Sequence, residues 1–224
     1  MGLLATMATV LAPPHRAGHP FIAGSAAVAV FGLFVSPFLV AAGIMAALVC
    51  WFFFRNPERI ASPVPGAVLA AADGRITSIE LIAPPPELEL GAESRWRIAT
   101  FLSVLNVHVN RVPVAAAVTR IVYTPGRFLN AADPQAGAAN ERNAIALRLP
   151  DGRDMAVVQI AGLIARRILC DLRIGESVTA GARFGIIRFG SRTDLYLPPG
   201  VTPTVAVGQT AIGGETVMAI LEGA

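Results

Sequence analysis

The chain contains no lysine: all 18 of its basic residues are arginine. No side-chain amine is therefore available to hold pyridoxal phosphate or to act as an amine nucleophile, and amine or carbanion chemistry would need an electrophile from another source. Cysteine is nearly absent too. Cys50 and Cys170 are the only two, far apart in the sequence, which excludes a disulfide framework and fits a reducing compartment. The net charge of +3 is small and the arginines are scattered, so there is no basic stripe for a nucleic acid to follow. No cluster of histidine, cysteine and carboxylate has the spacing of a metal site. Histidine itself is scarce: beyond the first 19 residues His108 stands alone.

What the chain has in plenty is apolar sequence, 54% of 224 residues, much of it in one N-terminal block. Residues 1–19 read as a cytoplasmic tail. From Pro20 to Phe54 there is no charge at all, too long for one span and too apolar for a surface helix. Ser36-Pro37 divides the block into two pieces of about 22 to 26 Å as helices, marginal against a hydrocarbon core of about 30 Å. Arginines flank its outer ends (Arg16, Arg55, Arg59) and none lies at the central turn, so both ends belong on the cytoplasmic side of a membrane-associated helical hairpin over 20–54.

After Arg55 the character changes to short β-rich runs punctuated by turn signals such as Asp73-Gly74, Asp151-Gly152 and Pro199-Gly200. The runs are 64–69, 75–82, 95–102, 118–123, 144–149 and 155–161. Residues 163–172 suit a short helix or a strand equally. Two late segments, Val178 to Gly185 and Val205 to Gly213, share a strand, glycine turn, strand pattern like that of lipoyl-type barrel-sandwich domains. These features predict a mainly β chain over 55–224, a compact β-sandwich or barrel-sandwich-like domain. The Ala- and Asn-rich stretch 130–142 reads as a mobile loop.

Near the C-terminus, Arg188-Phe189-Gly190-Ser191-Arg192-Thr193-Asp194 joins two apolar runs, which predicts a sharp turn at Gly190-Ser191 between two strands. Glycine admits backbone angles closed to other residues, and a serine just after it can face the preceding carbonyl, a geometry suited to self-cleavage. Gly-Ser is also a common hairpin dipeptide. In Asn106-Val107-His108-Val109-Asn110-Arg111 the alternation places Asn106, His108 and Asn110 on one face of an extended segment. Ser191, His108 and Asp73 could form a relay in which the imidazole takes the serine proton and the carboxylate orients the imidazole. A lone histidine is more often structural, and a turn aspartate more often caps its own turn.

Taken together these motifs resemble the phosphatidylserine decarboxylase family, in its short bacterial proenzyme form. The resemblance runs nearly end to end. It is carried by Phe53-Phe54-Arg55-Asn56-Pro57-Glu58-Arg59, Ala72-Asp73-Gly74, Phe101-Leu102-Ser103, the His108 segment, Gln159-Ile160-Ala161-Gly162-Leu163-Ile164-Ala165-Arg166-Arg167, Arg188-Phe189-Gly190-Ser191 and Gly208-Gln209-Thr210. Two departures stand out. Ala71-Ala72 replaces the Ser-Pro or Pro-Ala frequent in the family, and Arg111 stands where longer relatives carry a second histidine. The resemblance implies cleavage between Gly190 and Ser191 into a β chain (1–190) and an α chain (191–224), with His108 as base oriented by Asp73. A pyruvoyl group derived from Ser191 would then be the covalent cofactor, capturing the amine of phosphatidylserine as a Schiff base and accepting the electron pair as carbon dioxide leaves. The implied partners are the lipid substrate, the membrane and the companion chain, with a homo-oligomer possible, and the implied site is the cytoplasmic face of a bacterial cell membrane. Two other readings stand beside it: a pyruvoyl decarboxylase of a soluble amino acid, and a membrane-anchored lipoyl-like adaptor without catalysis.

Overall fold

The computed structural model describes residues 9–129, 131, 136–163, 167–188 and 190–222. The chain divides into two units, one ending at Glu58 and the other beginning at Arg59.

In the first unit helix α1 (His19–Gly32) and helix α2 (Pro37–Phe53) form the hairpin. Ser36 caps α2 by accepting from the Phe38 amide at 3.3 Å, and Pro37 supplies the fixed φ that suits a first helical position. Small residues let the helices touch backbone to backbone: a Cβ on Gly43 would lie 2.4 Å from the Ala29 nitrogen. The connection leaves large apolar side chains bare, Phe34 at 84% and Phe38 at 86% exposure. Among the described residues no helix is long and apolar enough to cross a membrane. The described part of the expected tail is not free chain: Pro14 bridges to Arg55, the His15 amide donates to the Phe54 carbonyl at 2.7 Å, and Gly18 lies against the Phe54 ring. Residues 1–8 lie outside the described part.

The second unit is mainly β, its large sheet curled into a half-barrel. In chain order the strands are β1 (Ala67–Leu69), β2 (Gly74–Ile82), β3 (Arg95–Leu102), β4 (Val109–Arg111), β5 (Ala116–Thr124), β6 (Arg142–Arg148) and β7 (Asp154–Ala161). The remainder are β8 (Ile168–Cys170), β9 (Ser177–Val178), β10 (Arg183–Ile187), β11 (Ser191–Tyr196), β12 (Thr210–Ala211) and β13 (Val217–Ile220). The eight-stranded sheet runs β12-β2-β3-β11-β7-β6-β5-β9, a second sheet runs β4-β10-β8, and β1 pairs with β13. Ile98, Ile145, Val157 and Leu195 on the large sheet share one core with Phe184 of β10.

The β-rich runs mark strands, whereas nothing in them marks how the strands pair. Asp151-Gly152 does close a hairpin, β6 to β7, with Gly152 at φ +85°. Gly190-Ser191 is not the point of a hairpin. β10 pairs with β4 and β8, β11 with β3 and β7, so between Ile187 and Ser191 the chain passes from one sheet to the other. Asp73-Gly74 is likewise no hairpin turn: β1 pairs with β13 and β2 with β3, and Gly74 is needed because a Cβ there would sit 2.2 Å from the Phe101 carbonyl oxygen. Of the two lipoyl-like segments, the first is β9, Gly181 at φ +77°, and β10; the second keeps its left-handed glycine, Gly208 at φ +87°, but its leading arm is bend and turn. Within 163–172 the described secondary structure is the strand β8, with 164–166 outside the described residues. So are 130 and 132–135 of the expected loop. Its described end is a single helical turn, α3 (Ala136–Ala139), followed by the fully buried Asn140.

Candidate active site

β11 is buried along its whole length, flanked on both sides, and so can carry polar residues only where they are positioned by neighbours. Alternation puts Ser191, Thr193 and Leu195 on the core face and Arg192, Asp194 and Tyr196 on the other. Ser191 is the first residue of the strand, paired with Leu102 of β3 and Ala161 of β7. Its side chain is fully buried and its Oγ has no hydrogen-bond partner. An unpaired buried hydroxyl costs about 1–3 kcal/mol, which a purely structural serine would be expected to avoid.

Gly190, immediately before it, sits at φ +68° where a side chain would be strained. Its amide donates to His108 Nε2 at 3.2 Å. Because a backbone N–H can only donate, Nε2 is the accepting nitrogen and Nδ1 carries the proton, which it gives to the Asn106 carbonyl at 3.0 Å. His108 is thus a neutral, fully buried imidazole with its basic lone pair on the Gly190 peptide. The turn that holds it is closed by Asn106, whose Oδ1 accepts from the Ser103 amide at 2.8 Å and the Ser103 hydroxyl at 2.9 Å.

Asp73 lies at the same end of the large sheet. Arg75 is opposite Phe101 and Ser191 is opposite Leu102, so the start of β2 and the start of β11 flank the end of β3, about 10 Å apart across two strand spacings. The carboxylate accepts from the Gly213 amide and from Arg59 Nη2, both at 2.8 Å. The Gly190 carbonyl has its own seat. A Cβ on Gly162 would be 2.3 Å from the Gly190 oxygen and 3.0 Å from its carbon, so Gly162 is glycine because the Gly190 peptide occupies that space. Asn140 anchors the chain there, donating to the carbonyls of Ala161 at 2.7 Å and Leu129 at 2.9 Å.

Behind Ser191, Arg192 grips Asp194 through two parallel bonds, Nε to Oδ1 at 2.5 Å and Nη2 to Oδ2 at 2.7 Å. Burial works against the Asp194 charge and raises its proton affinity, while Arg192 and Arg97 oppose that. Burial and the Asp194 charge push the neighbouring Tyr196 phenol up to about 12, so it stays protonated. Cys170 is also pushed up by burial, which makes it a poor nucleophile. Among the described residues no group of histidines, cysteines and carboxylates is placed to hold a metal. Gly162 and Asn140 were not singled out in sequence. The motif containing Gly162 was visible, but its closeness to Gly190 arises only from the β7–β11 register.

A buried serine hydroxyl without a hydrogen-bond partner thus follows a glycine whose amide is held by the histidine. A family model for phosphatidylserine decarboxylase matches residues 46–219. Similar chains include the phosphatidylserine decarboxylase proenzymes of Granulibacter bethesdensis, 60% identical over 99% of this chain and 91% of that one, and Gluconobacter oxydans, 54% identical over 99% and 100%. That of Cereibacter sphaeroides is 47% identical over 96% and 93%. The chain belongs to the phosphatidylserine decarboxylase family.

Proposed function

We propose that this chain cleaves itself between Gly190 and Ser191 and then decarboxylates phosphatidylserine to phosphatidylethanolamine with a pyruvoyl group made from Ser191. The observation that carries this reading is the buried, unpartnered Ser191 Oγ beside a Gly190 amide held by His108 Nε2. In the first step Oγ attacks the Gly190 carbonyl carbon. His108 exchanges the Gly190 N–H for the serine proton and returns it to the departing Ser191 nitrogen. Asn106 fixes the imidazole tautomer through its carbonyl, and Asp73 contributes negative charge at the same end of the sheet. A pyruvoyl group fits the position, because cleavage there leaves residue 191 as the first residue of a strand gripped on both sides. Such a group supplies a ketone that captures an amine and accepts the electron pair released with carbon dioxide. His108, already against the Gly190 peptide, is suited to return a proton to the substrate carbon.

Three features support a lipid substrate at a membrane surface. Bare phenylalanines crown the α1–α2 hairpin. Arg188 and Arg167 adjoin near the cleavage point, where burial and the charge of Arg167 push the Arg188 guanidinium below its usual range, a setting that favours an anionic headgroup. The chain's relatives bear the lipid's name. The purified protein is expected to release carbon dioxide from phosphatidylserine vesicles and not from free serine. Equal release from both would transfer the reading to a soluble amino acid.

Maturation is also expected to depend on Gly162. In Gly162→Ala the added methyl displaces the Gly190 carbonyl, and misplacing a reacting atom by about 1 Å costs roughly 10²-fold. The appearance of the 1–190 chain, followed on denaturing gels, should slow by that factor, and the forced backbone shift should lower the melting temperature as well. A folded variant maturing at the normal rate would mean that the carbonyl does not react from this seat.

A further inference from the structure

The ends of β3, β7, β8 and β10 meet the start of β11. β3 and β7 run antiparallel to β11 with Leu102 and Ala161 opposite Ser191, so both strands leave the large sheet at the Gly190-Ser191 step. In the second sheet Ile187, last in β10, is opposite Ile168, first in β8, and the Arg188 amide then donates to the Arg167 carbonyl at 3.2 Å. The residues that follow these ends therefore form the surface around the Gly190 peptide.

They are unusual for a surface that faces water. Beyond β3 the chain makes a tight turn over 103–106: the Asn106 amide donates to the Ser103 carbonyl at 2.9 Å, and Asn106 Oδ1 accepts from the Ser103 amide at 2.8 Å. Glycine, proline, serine and the small polar residues dominate the centres of such turns. Here the centre is Val104-Leu105, both exposed, Leu105 at 67%. Beyond β7, Gly162 packs on the Gly190 carbonyl, and the next residue, Leu163, is 64% exposed. One bare leucine is ordinary; apolar side chains presented by two separate connections that both abut one peptide mark an interaction surface.

The charge at this end has one sign. Segments 102–112, 159–170 and 183–193 contain no aspartate or glutamate. Arg167 is exposed and Arg188 half-buried beside it. Of the acids nearby, Asp73 is paired with Arg59 and Glu141 is buried. An apolar tip flanked by arginines complements an anionic lipid surface, where the side chains enter the acyl boundary and the cations meet headgroups.

We propose that this end of the second unit is a membrane-docking surface, with Val104, Leu105 and Leu163 entering an anionic bilayer and Arg167 and Arg188 at its headgroups. The inference rests on the decarboxylation reading above and gives that site its route to substrate. A phospholipid cannot carry its acyl chains through water to reach residue 191 without a large hydrophobic cost. A site whose own rim lies in the interface admits the headgroup while the chains stay in the bilayer.

The test places a bimane label on Leu105→Cys or on Ile174→Cys, each in a full-length chain that also carries Cys50→Ala and Cys170→Ala and melts cooperatively. Ile174 is as exposed, at 65%, but lies beyond the far end of β8. The chains are reconstituted into phosphatidylcholine vesicles with brominated acyl chains, with or without phosphatidylglycerol, which is anionic and has no amine to react. The label at 105 should be quenched, more strongly with phosphatidylglycerol, and the label at 174 should not. Quenching at both positions or at neither overturns the proposal, and equal quenching at 105 with and without phosphatidylglycerol overturns the part given to the arginines. A response at 105 that grows with protein concentration in detergent alone would assign the surface to a second copy of the chain. The double variant Leu105→Glu, Leu163→Glu should release carbon dioxide from phosphatidylserine vesicles about 10-fold more slowly, yet match wild type on a monomeric short-chain phosphatidylserine. Equal loss on both substrates overturns docking as the role of these side chains. A wild-type chain that decarboxylates neither substrate overturns the underlying reading, whatever the labels show.

Discussion

Ser191→Ala is expected to persist as one 224-residue chain and to release no measurable carbon dioxide from phosphatidylserine. Alanine removes the proposed nucleophile next to the Gly190 carbonyl, and the chain has no lysine to stand in for it. The fold should survive, because the residue's place between Leu102 and Ala161 is set by backbone pairing and its Oγ makes no hydrogen bond to lose. Removing a buried hydroxyl that has no partner should instead stabilise the uncleaved chain by about 1 kcal/mol. Mass spectrometry and thermal melting together check both halves of this expectation. Processing in Ser191→Ala would move the cleavage elsewhere. A large loss of stability would make Ser191 a structural residue.

Legibility in the sequence ends where local rules end. β-rich runs bounded by turn residues were enough to place β2, β3, β5, β6 and β7 within a few residues, although β6 and β7 are buried on both faces and show no alternation. Ser191, Gly190 and His108 stood out as candidates through the motifs that carry the family resemblance, since a Gly-Ser step and a lone histidine are ordinary by themselves. The contact between them was not legible. The Gly190 to His108 bond spans 82 residues and exists because the chain crosses from the β4-β10-β8 sheet to the large one just before Ser191. A hairpin was the natural expectation for two apolar runs about a Gly-Ser step, and only the pairing of β11 with β3 and β7 excludes it. Long-range register also hides the partners of Asp73, whose Gly213 contact spans 140 residues.

Division of labour between His108 and Asp73 gives the other large expected effect. In a serine-protease triad, losing the orienting carboxylate costs roughly 10⁴-fold because the histidine takes the wrong tautomer. Here the Asn106 carbonyl holds the Nδ1 proton, and a backbone acceptor cannot be removed by changing a side chain elsewhere. Asp73→Asn keeps an oxygen for the Gly213 amide but takes away the charge that faces Arg59. It should therefore slow self-cleavage by about 10²-fold, at the low end of what positioned acid–base groups contribute, and cleaved molecules should retain most of their decarboxylase activity. His108→Ala should slow cleavage by roughly 10⁴-fold, since it removes the proton acceptor itself. Its processed fraction should also turn over poorly, because the same imidazole is the proposed proton donor to the substrate carbon. The measurements are the first-order rate of appearance of the 191–224 chain and the single-turnover rate per processed chain. Equal slowing of cleavage in the two variants would make Asp73 the direct orienting group. Full activity per processed chain in His108→Ala would confine the histidine to maturation and leave protonation of the substrate carbon to another group.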